Sequence, residues 1–387
     1  MTLSLGWFLL SVVQQSTAAR GNPISMCRDG CAPLRLRGMV SHLAYPPKPR
    51  PGDRVAIVSP SAGTPGLFPR PFELGLTRLR EDFGLIPVEY PTTRKMGAAP
   101  ADRAADLHAA FSDPGISAVI TSIGGEDEIR VLPHLDAGLL RDHPKPFFGY
   151  SDNTCLLAYL WQQGIVSYHG GCVMVQYGRP GAMHPGTEAS LRAALFEPGE
   201  FELSPVSAYN DVERDWADPA TFTAEPQMEP CDGWIWHNHT GRVVEGIGWG
   251  GNIEVLSWLL MAGRAVPEPQ DCADGVLFLE TSEELPTAAE VYRILRAMGE
   301  RGLLALFPAV LFGRAKAWSL EHHTTPEQKA AYISDQHEAV LRALAEYAPD
   351  TMAVLDIDFG HTDPQLVLPY GGMIRVDGMT RRIVVRY

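Results

Sequence analysis

The sequence predicts an α/β fold, with a parallel β-sheet covered by helices and a second, smaller α/β region that contains more β structure. Two observations predict it. From Arg54 to Gly171, short runs that are apolar throughout alternate with segments whose apolar residues recur at helical spacing. Strands of this kind are typical of parallel sheets that are buried on both faces. The chain has 387 residues, which is enough for two packed domains.

The strands and helices of the first region can be assigned in order. The strand RVAIVSPSA precedes the helix PFELGLTRLREDFG, which places Leu76 and Phe83 on one face and ends at a glycine. The strand LIPVEYP, the helix APADRAADLHAAFSD and the strand ISAVITSIGG follow. The segment EDEIRVLPHLDAGLLRDHP is predicted to be partly helical. It leads to the strand KPFFGYS, a helix from Asp152 and the strand IVSYHGG.

Small and polar residues follow four of these strands. Because ligands of parallel sheets bind at the carboxyl ends of the strands, this edge is the predicted site. The four strand ends are Ser59–Gly63, Ser122–Gly125, Tyr150–Asp152 and His169–Gly171.

The whole chain divides into four parts. Residues 1–44 are predicted to lie outside the fold, and 45–184 to form the N-terminal α/β domain. Residues 185–240, rich in Pro, Asp and Trp, are predicted to form a linker or lid. The C-terminal domain, 241–387, contains GVLFLETSEEL, a helix over 326–347 and a terminal hairpin, GMIRVDGMTRRIVVRY.

The N-terminal run LSLGWFLLSVV is too short to span a bilayer, and no Lys or Arg precedes it as in a signal peptide. A cytoplasmic protein with no membrane partner is therefore favoured, and export is the alternative. The net charge of −14 and the absence of a Lys/Arg-rich block argue against nucleic acid as a partner. Six scattered cysteines without paired spacing indicate reduced thiols, and neither a metal nor a cofactor is predicted.

Ser151 is the best candidate for a nucleophile. It follows an apolar strand and precedes a helix, which is where a strained turn exposes the serine of a hydrolase. Gly149 relieves crowding before it, whereas Asn153 stands where the usual G-x-S-x-G motif has its second glycine. The competing interpretation is that Ser151 or Asp152 only caps the following helix.

The oxyanion hole of such an enzyme needs free N–H groups. Gly124 and Gly125, at the end of the preceding strand, allow close backbone approach to a substrate. The N–H of Asp152, at the start of a helix, is the second candidate donor, and the Asp152 side chain is expected to cap that helix.

The candidate acid and base lie at two later strand ends. Glu280 ends the run GVLFLE, and Glu283 and Glu284 in the following turn are expected to be solvated. His361 follows the run VLDIDFG. If these residues form a triad, Ser151 Oγ and His361 should lie within hydrogen-bonding reach.

Together, IGGEDE, GYSDNT, GWGGNIEVLSWL, FLETSEE and FGHTDPQLVLPYG resemble the LD-carboxypeptidase family of serine peptidases, from about Pro46 to Tyr387. The resemblance implies a flavodoxin-like N-terminal domain, a triad of Ser151, Glu280 and His361, an oxyanion hole at Gly125 and Asp152, and no metal. It also implies a homodimer and a small peptide or peptidyl-nucleotide substrate.

Within that family, VERDWADP and RVVEGIGWGGN look more like the microcin C immunity branch than the muropeptide branch. That resemblance gives Trp216 the role of stacking on the nucleotide of the substrate. Arg130 and Arg314 are candidates for holding an anionic group. A distant alternative is a nucleotide-binding module or transferase, based on GIGWGGN. A metal site built from His237 and His239, or from His322, His323 and His337, is disfavoured.

Overall fold

The computed structural model describes residues 43–387. The predicted N-terminal extension therefore lies outside the described residues, apart from Leu43 and Ala44. Within the described range, no helix is both long enough and apolar enough to cross a bilayer.

Helices and strands alternate through most of this range. The helices are α1 (Pro69–Glu81), α2 (Pro100–Ser112), α3 (Ala137–Asp142), α4 (Thr154–Gln162), α5 (Pro185–Phe196), α6 (Ile253–Ala262), α7 (Pro269–Cys272), α8 (Ala288–Glu300) and α9 (Pro326–Tyr347). The strands are β1 (Arg54–Val58), β2 (Ile86–Glu89), β3 (Ile116–Thr121), β4 (Phe147–Gly149), β5 (Ser167–His169), β6 (Glu200–Leu203), β7 (Ala208–Tyr209), β8 (Glu229–Pro230), β9 (Ile235–His237), β10 (Val243–Asn252), β11 (Val276–Glu280), β12 (Ala309–Gly313), β13 (Met352–Ile357), β14 (Leu368–Tyr370), β15 (Met373–Asp377) and β16 (Arg382–Arg386).

The first sheet has the strand order β2-β1-β3-β4-β5-β14. Its first five strands are parallel, in the order that defines a flavodoxin-like fold. The central strands are buried, which explains why they are apolar throughout. The predicted parallel sheet is confirmed, and its strands end at the four sequence positions expected to line a site.

The second sheet has eight strands in the order β6-β16-β15-β10-β11-β12-β13-β9. Strands β10 to β13 are parallel, and the flanking strands are antiparallel, which accounts for the larger share of β structure in this region. Strands β15 and β16 form the predicted terminal hairpin. Helices α8 and α9 each begin with a capping box, Thr287 with Glu290 and Thr325 with Gln328.

Two connections join the sheets. Strand β14, which follows the second sheet's parallel strands along the chain, pairs antiparallel with β5 of the first sheet. Within residues 185–240, the segment expected to be a linker or lid, helix α5 forms first and β6 joins the second sheet beside β16. The domain division remains a prediction, but this segment contributes regular structure to both parts of the fold.

Candidate active site

A cavity of about 310 Å³ lies at the carboxyl ends of the strands, where the two sheets meet. The first sheet contributes Gly124, Gly125 and Ser151 to its lining. The second sheet contributes Glu283, which follows β11, and His361, which follows β13. The cavity therefore brings together the sequence elements predicted to form one site.

Ser151 occupies a strained corner between β4 and α4. Its φ is 62°, in the left-handed region that residues with a side chain seldom adopt. Asn153 stabilises the corner, because its Nδ2 donates to the carbonyl oxygens of Tyr150 at 2.9 Å and Ile123 at 3.2 Å. Within the described chain, Ser151 makes no helix-capping hydrogen bond. The geometry is that of a serine presented on a turn, so the capping interpretation of Ser151 is wrong.

Gly124 and Gly125 lie too close to their neighbours to carry side chains. A Cβ on Gly124 would lie 2.9 Å from Ser151 Cβ and 3.0 Å from its Oγ. A Cβ on Gly125 would lie 2.3 Å from Ser61 Oγ. The backbone after β3 thus runs directly beside the serine hydroxyl, where an oxyanion donor from Gly125 is predicted.

Asp152 is fully buried behind Ser151. Its Oδ2 accepts hydrogen bonds from Ser61 Oγ at 2.5 Å and from the backbone N–H of Glu128 at 2.8 Å. The side chain therefore ties the corner to the loops after β1 and β3, and the expectation that it caps α4 is wrong. The role of the Asp152 N–H as an oxyanion donor stays a prediction.

Glu280 and His361 form a direct pair. Glu280 is the last residue of β11 and has no exposed surface. Its Oε2 lies 2.6 Å from Nδ1 of His361. The chain passes so close at Gly360, whose φ is 94°, that a Cβ there would lie 2.7 Å from Glu280 Oε2. Glycine before the histidine is thus required for the contact.

The pair carries opposite charges. Burial disfavours the charge of Glu280, but attraction to His361, the hydrogen bond from His361 and the nearby His169 imidazole outweigh it and lower its pKa to about 2. Burial also disfavours a charged His361, yet the carboxylates of Glu280 and Glu283 raise its pKa to about 9. At neutral pH, this conformation therefore contains an imidazolium held between two carboxylates.

The expected hydrogen bond between Ser151 and His361 does not form in this conformation. Among the described residues, the partner of His361 Nε2 is Oε2 of Glu283, at 3.1 Å. A charged imidazolium favours a carboxylate over a neutral hydroxyl, which explains the preference. The Glu283 side chain is 47% exposed, so it can rotate away and free Nε2 for the serine. Sequence reasoning treated Glu283 as solvated and missed this contact.

Trp216 lies in the cavity lining, where its ring packs edge-on against Phe68 with centroids 6.0 Å apart. Residues 210–214 line the cavity beside Trp216 and are attached to the loop that bears His361. Asn210 and Asp363 exchange two backbone hydrogen bonds of 2.7 and 2.8 Å. Asp211 attaches the same segment to helix α9, because its Oδ1 accepts from Lys329 Nζ at 2.7 Å. The segment before Trp216 is thus hydrogen-bonded directly to the loop that bears His361.

The basic residues predicted to face the substrate lie elsewhere. Arg130 is 65% exposed beside Asp127, and Arg314 is buried against Asp358. The cationic residues of the cavity lining are Arg179, Arg214 and Lys316. The sequence contains a local sign for two of them. Lys316 follows the end of strand β12, and Arg214 stands two residues before Trp216, the tryptophan predicted to contact the substrate.

The glycine-rich segment GIGWGGN is part of β10 and not a phosphate-binding loop. A Cβ on Gly250 would collide with the Phe278 carbonyl oxygen at 1.7 Å, and one on Gly251 would lie 2.7 Å from Thr154. These glycines let β10 pack against β11 and α4. Asn252 then caps α6 through the N–H of Val255.

The histidines considered as metal ligands have other contacts. His239 Nδ1 contacts the carbonyl oxygen of Gly378, His337 contacts Asp356, and His323 stacks on Trp318. Among residues 43–387, no group of three or more His, Cys, Asp or Glu side chains is arranged to hold a metal ion.

A serine on a strained strand-to-helix corner, in one cavity with a buried carboxylate–histidine pair, defines the class of serine hydrolases. The chain belongs to the LD-carboxypeptidase family of serine peptidases. Residues 55–170 match the N-terminal domain of that family and residues 245–376 match its C-terminal domain.

Individual relatives agree with this assignment. A protein of Bacillus subtilis named a probable murein peptide carboxypeptidase is 26% identical over 90% of this chain and 97% of its own length. The microcin C7 self-immunity protein MccF of Escherichia coli is 22% identical over 73% of this chain and 78% of its own. The crystal structure of an MccF-like protein from Streptococcus pneumoniae in complex with AMP has a TM-score of 0.75 and 24% identity. It covers 87% of this chain and 99% of that protein, which establishes a shared fold.

Proposed function

We propose that the protein cleaves an amide bond through a triad of Ser151, His361 and Glu280 and a covalent acyl-enzyme. The observation that carries this proposal is the 2.6 Å contact of Glu280 Oε2 with His361 Nδ1, in one cavity with a serine whose φ is 62°. A carboxylate on Nδ1 leaves Nε2 as the nitrogen that exchanges protons with the nucleophile.

In the first half-reaction, Nε2 of neutral His361 takes the proton of Ser151 as Oγ attacks the substrate carbonyl carbon. Backbone N–H groups of Gly125 and Asp152 stabilise the oxyanion. His361 then gives the proton to the leaving nitrogen, and the C–N bond breaks. In the second half-reaction, His361 takes a proton from water, which attacks the acyl-enzyme. His361 then gives this proton to Ser151 Oγ as the bond between Oγ and the acyl carbon breaks. The carboxylate product and free Ser151 are released. Both steps require Glu283 to move away from Nε2.

The proposed substrate is a peptidyl or aminoacyl nucleotide of the microcin C type. Three features support it. Trp216 offers an aromatic face in the cavity lining, as stacking on a base requires. Arg214 and Lys316 line the same cavity and form no ion pair with any of residues 43–387, so they are available to an anionic linkage. The relatives include a microcin C7 self-immunity protein.

A muropeptide is the second candidate substrate, with release of a terminal D-Ala. It is favoured by the greater identity and coverage of the murein peptide carboxypeptidase relative, 26% over 90% of the chain. The cationic lining is also compatible with the free carboxylate of such a peptide.

The test is hydrolysis of an aminoacyl sulfamoyl adenylate and of a muropeptide tetrapeptide by the parent protein and by Ser151→Ala. We expect the parent to cleave the adenylate faster and Ser151→Ala to lose roughly 10⁴-fold or more in kcat. Undiminished hydrolysis by Ser151→Ala would refute the triad. Faster release of D-Ala than cleavage of the adenylate would favour the muropeptide function.

Trp216→Ala separates the two substrates further. We expect it to raise KM for the adenylate about 10-fold, since stacking on a base contributes roughly 1–3 kcal/mol, and to leave the muropeptide KM unchanged. Trp318→Ala is the matched control, because Trp318 stacks on His323 and is absent from the cavity lining among the described residues. Equal effects of the two substitutions would contradict the stacking role.

A further inference from the structure

His169 is a buried histidine that the proposed mechanism does not use. It is the last residue of β5 and has no exposed surface. Neither of its ring nitrogens has a hydrogen-bond partner among residues 43–387. Buried polar groups in folded proteins nearly always have partners, so an unpaired imidazole beside Glu280 requires an explanation.

Aromatic side chains pack against the His169 ring. Three rings contact it edge-on, with centroid distances of 6.0 Å to Tyr150, 5.6 Å to Phe278 and 5.8 Å to Phe359. This aromatic box fixes the plane of the imidazole through packing. Packing against these three rings, and not a hydrogen bond, therefore determines the orientation of the His169 ring.

The imidazole points at the second oxygen of the triad carboxylate. His169 Nε2 lies 3.8 Å from Oε1 of Glu280. Within the described structure, that oxygen also has no hydrogen-bond partner, whereas Oε2 is bound to His361. An unpaired donor and an unpaired acceptor thus face each other, and a small side-chain rotation brings them within hydrogen-bonding distance.

We propose that His169 is a positioning residue, whose Nε2–H donates to Oε1 of Glu280 and so aims Oε2 at His361. This inference rests on the proposed triad and adds a fourth member to it. The backbone supports the arrangement, since His169 pairs with Gly149, two residues before the nucleophile. One carboxylate is thereby held between two histidines, one from each sheet.

The proposed hydrogen bond from His169 would stabilise Glu280 during the reaction. When His361 passes its proton to the leaving nitrogen, it becomes neutral and no longer balances the buried charge of Glu280. A hydrogen bond from His169 supplies stabilisation at that moment without competing for the proton. Besides the two histidines, the titratable groups that act on this pair are Tyr150, Glu254, Glu283, Glu284 and Lys316.

The test compares His169→Phe, which fills the aromatic box without a donor, with His169→Gln, which retains an N–H. We expect kcat to fall about 10- to 100-fold in His169→Phe with little change in KM, and His169→Gln to recover at least 3-fold of that loss. The acid limb of the pH profile of kcat/KM should move to higher pH in His169→Phe, because Glu280 then holds the His361 proton more tightly. Phe359→Leu, which damages the same box but removes no donor, should leave the acid limb in place.

A second measurement needs neither substrate nor variant. In the parent protein, nitrogen-15 NMR should find His169 as the Nε2–H tautomer at neutral pH. The Nδ1–H tautomer, or an acid limb in His169→Phe that matches the parent, would overturn the inference. If both substrates resist the parent protein, the proposed function fails, and the tautomer still decides whether His169 is a donor to Glu280.

Discussion

The two sheets contribute to the cavity in different ways. The first sheet supplies backbone geometry: Ser151 at a strained φ, and glycines so close that a Cβ on Gly124 would lie 2.9 Å from Ser151 Cβ. The second sheet supplies charge: Glu280 with its pKa lowered to about 2 and His361 with its pKa raised to about 9. Substitutions on the first edge should therefore change rates through positions, and those on the second through protonation.

The largest effect is expected from Glu280→Gln. This change keeps the size of the side chain but removes the charge that orients and stabilises His361, so kcat should fall roughly 10³- to 10⁴-fold. Steady-state kinetics above the acid limb measures it. Glu254→Gln is the control, because Glu254 is a nearby buried carboxylate that accepts from Ser282 and not from His361. Equal losses of kcat in both variants would show that the effect is common to buried carboxylates in this region. The specific role assigned to the charge of Glu280 would then be wrong.

A smaller loss is expected from Gly124→Ala. The added methyl group would displace Ser151 or the backbone beside it, and a displacement of about 1 Å can cost roughly 10²-fold in rate. The pH profile should keep its shape, since no charge changes. Gly186→Ala is the control, because a Cβ there makes only an ordinary contact of 3.4 Å with His184. A moved acid limb in Gly124→Ala would contradict the division of roles.

The smallest effect is expected from Glu283→Gln, and it is a gain of activity rather than a loss. In the proposed mechanism, His361 acts as a base only when deprotonated, so activity should rise with pH through its pKa of about 9. Removing the Glu283 charge, 3.1 Å from Nε2, lowers that pKa, and the acid limb should move down by about 0.5–1 unit. Activity at pH 7 should then rise about 3- to 10-fold.

The pH profile of kcat/KM measures the effect of Glu283→Gln. Glu284→Gln is the control, because this neighbouring carboxylate forms no ion pair with His361 within the described residues and acts on it only from a greater distance, so it should move the limb less. A loss of activity at pH 7 in Glu283→Gln would instead indicate that Glu283 holds the substrate.

The parallel sheet and the main members of the site follow from the sequence, because strand ends are local features. The runs before Ser151, Glu280 and His361 are apolar and end abruptly, so each residue can be assigned to the same edge without knowing how the sheets pack. The glycine at position 360 is a further local sign, since it permits the approach to Glu280.

Contacts between the sheets are harder to predict. The position of His169 opposite Glu280 depends on how the two sheets meet, and the approach of Glu283 to Nε2 depends on how the turns after β11 and β13 pack within the second sheet. The presence of Lys316 rather than Arg314 in the lining depends on the path of the chain after β12. One residue of register decides which side of a strand faces the cavity, and no local pattern reports that. Asp152 is a related case, because its partners Ser61 and Glu128 belong to other loops.

The strand β14 has a consequence for synthesis of the protein. Residues 368–370 complete the edge of the first sheet by pairing with Ser167–His169. A ribosome must therefore release nearly all of the 387 residues before that edge is covered. His361 lines the same cavity as Ser151 and is synthesised shortly before β14. The two side chains can therefore share that cavity only after most of the chain has been made.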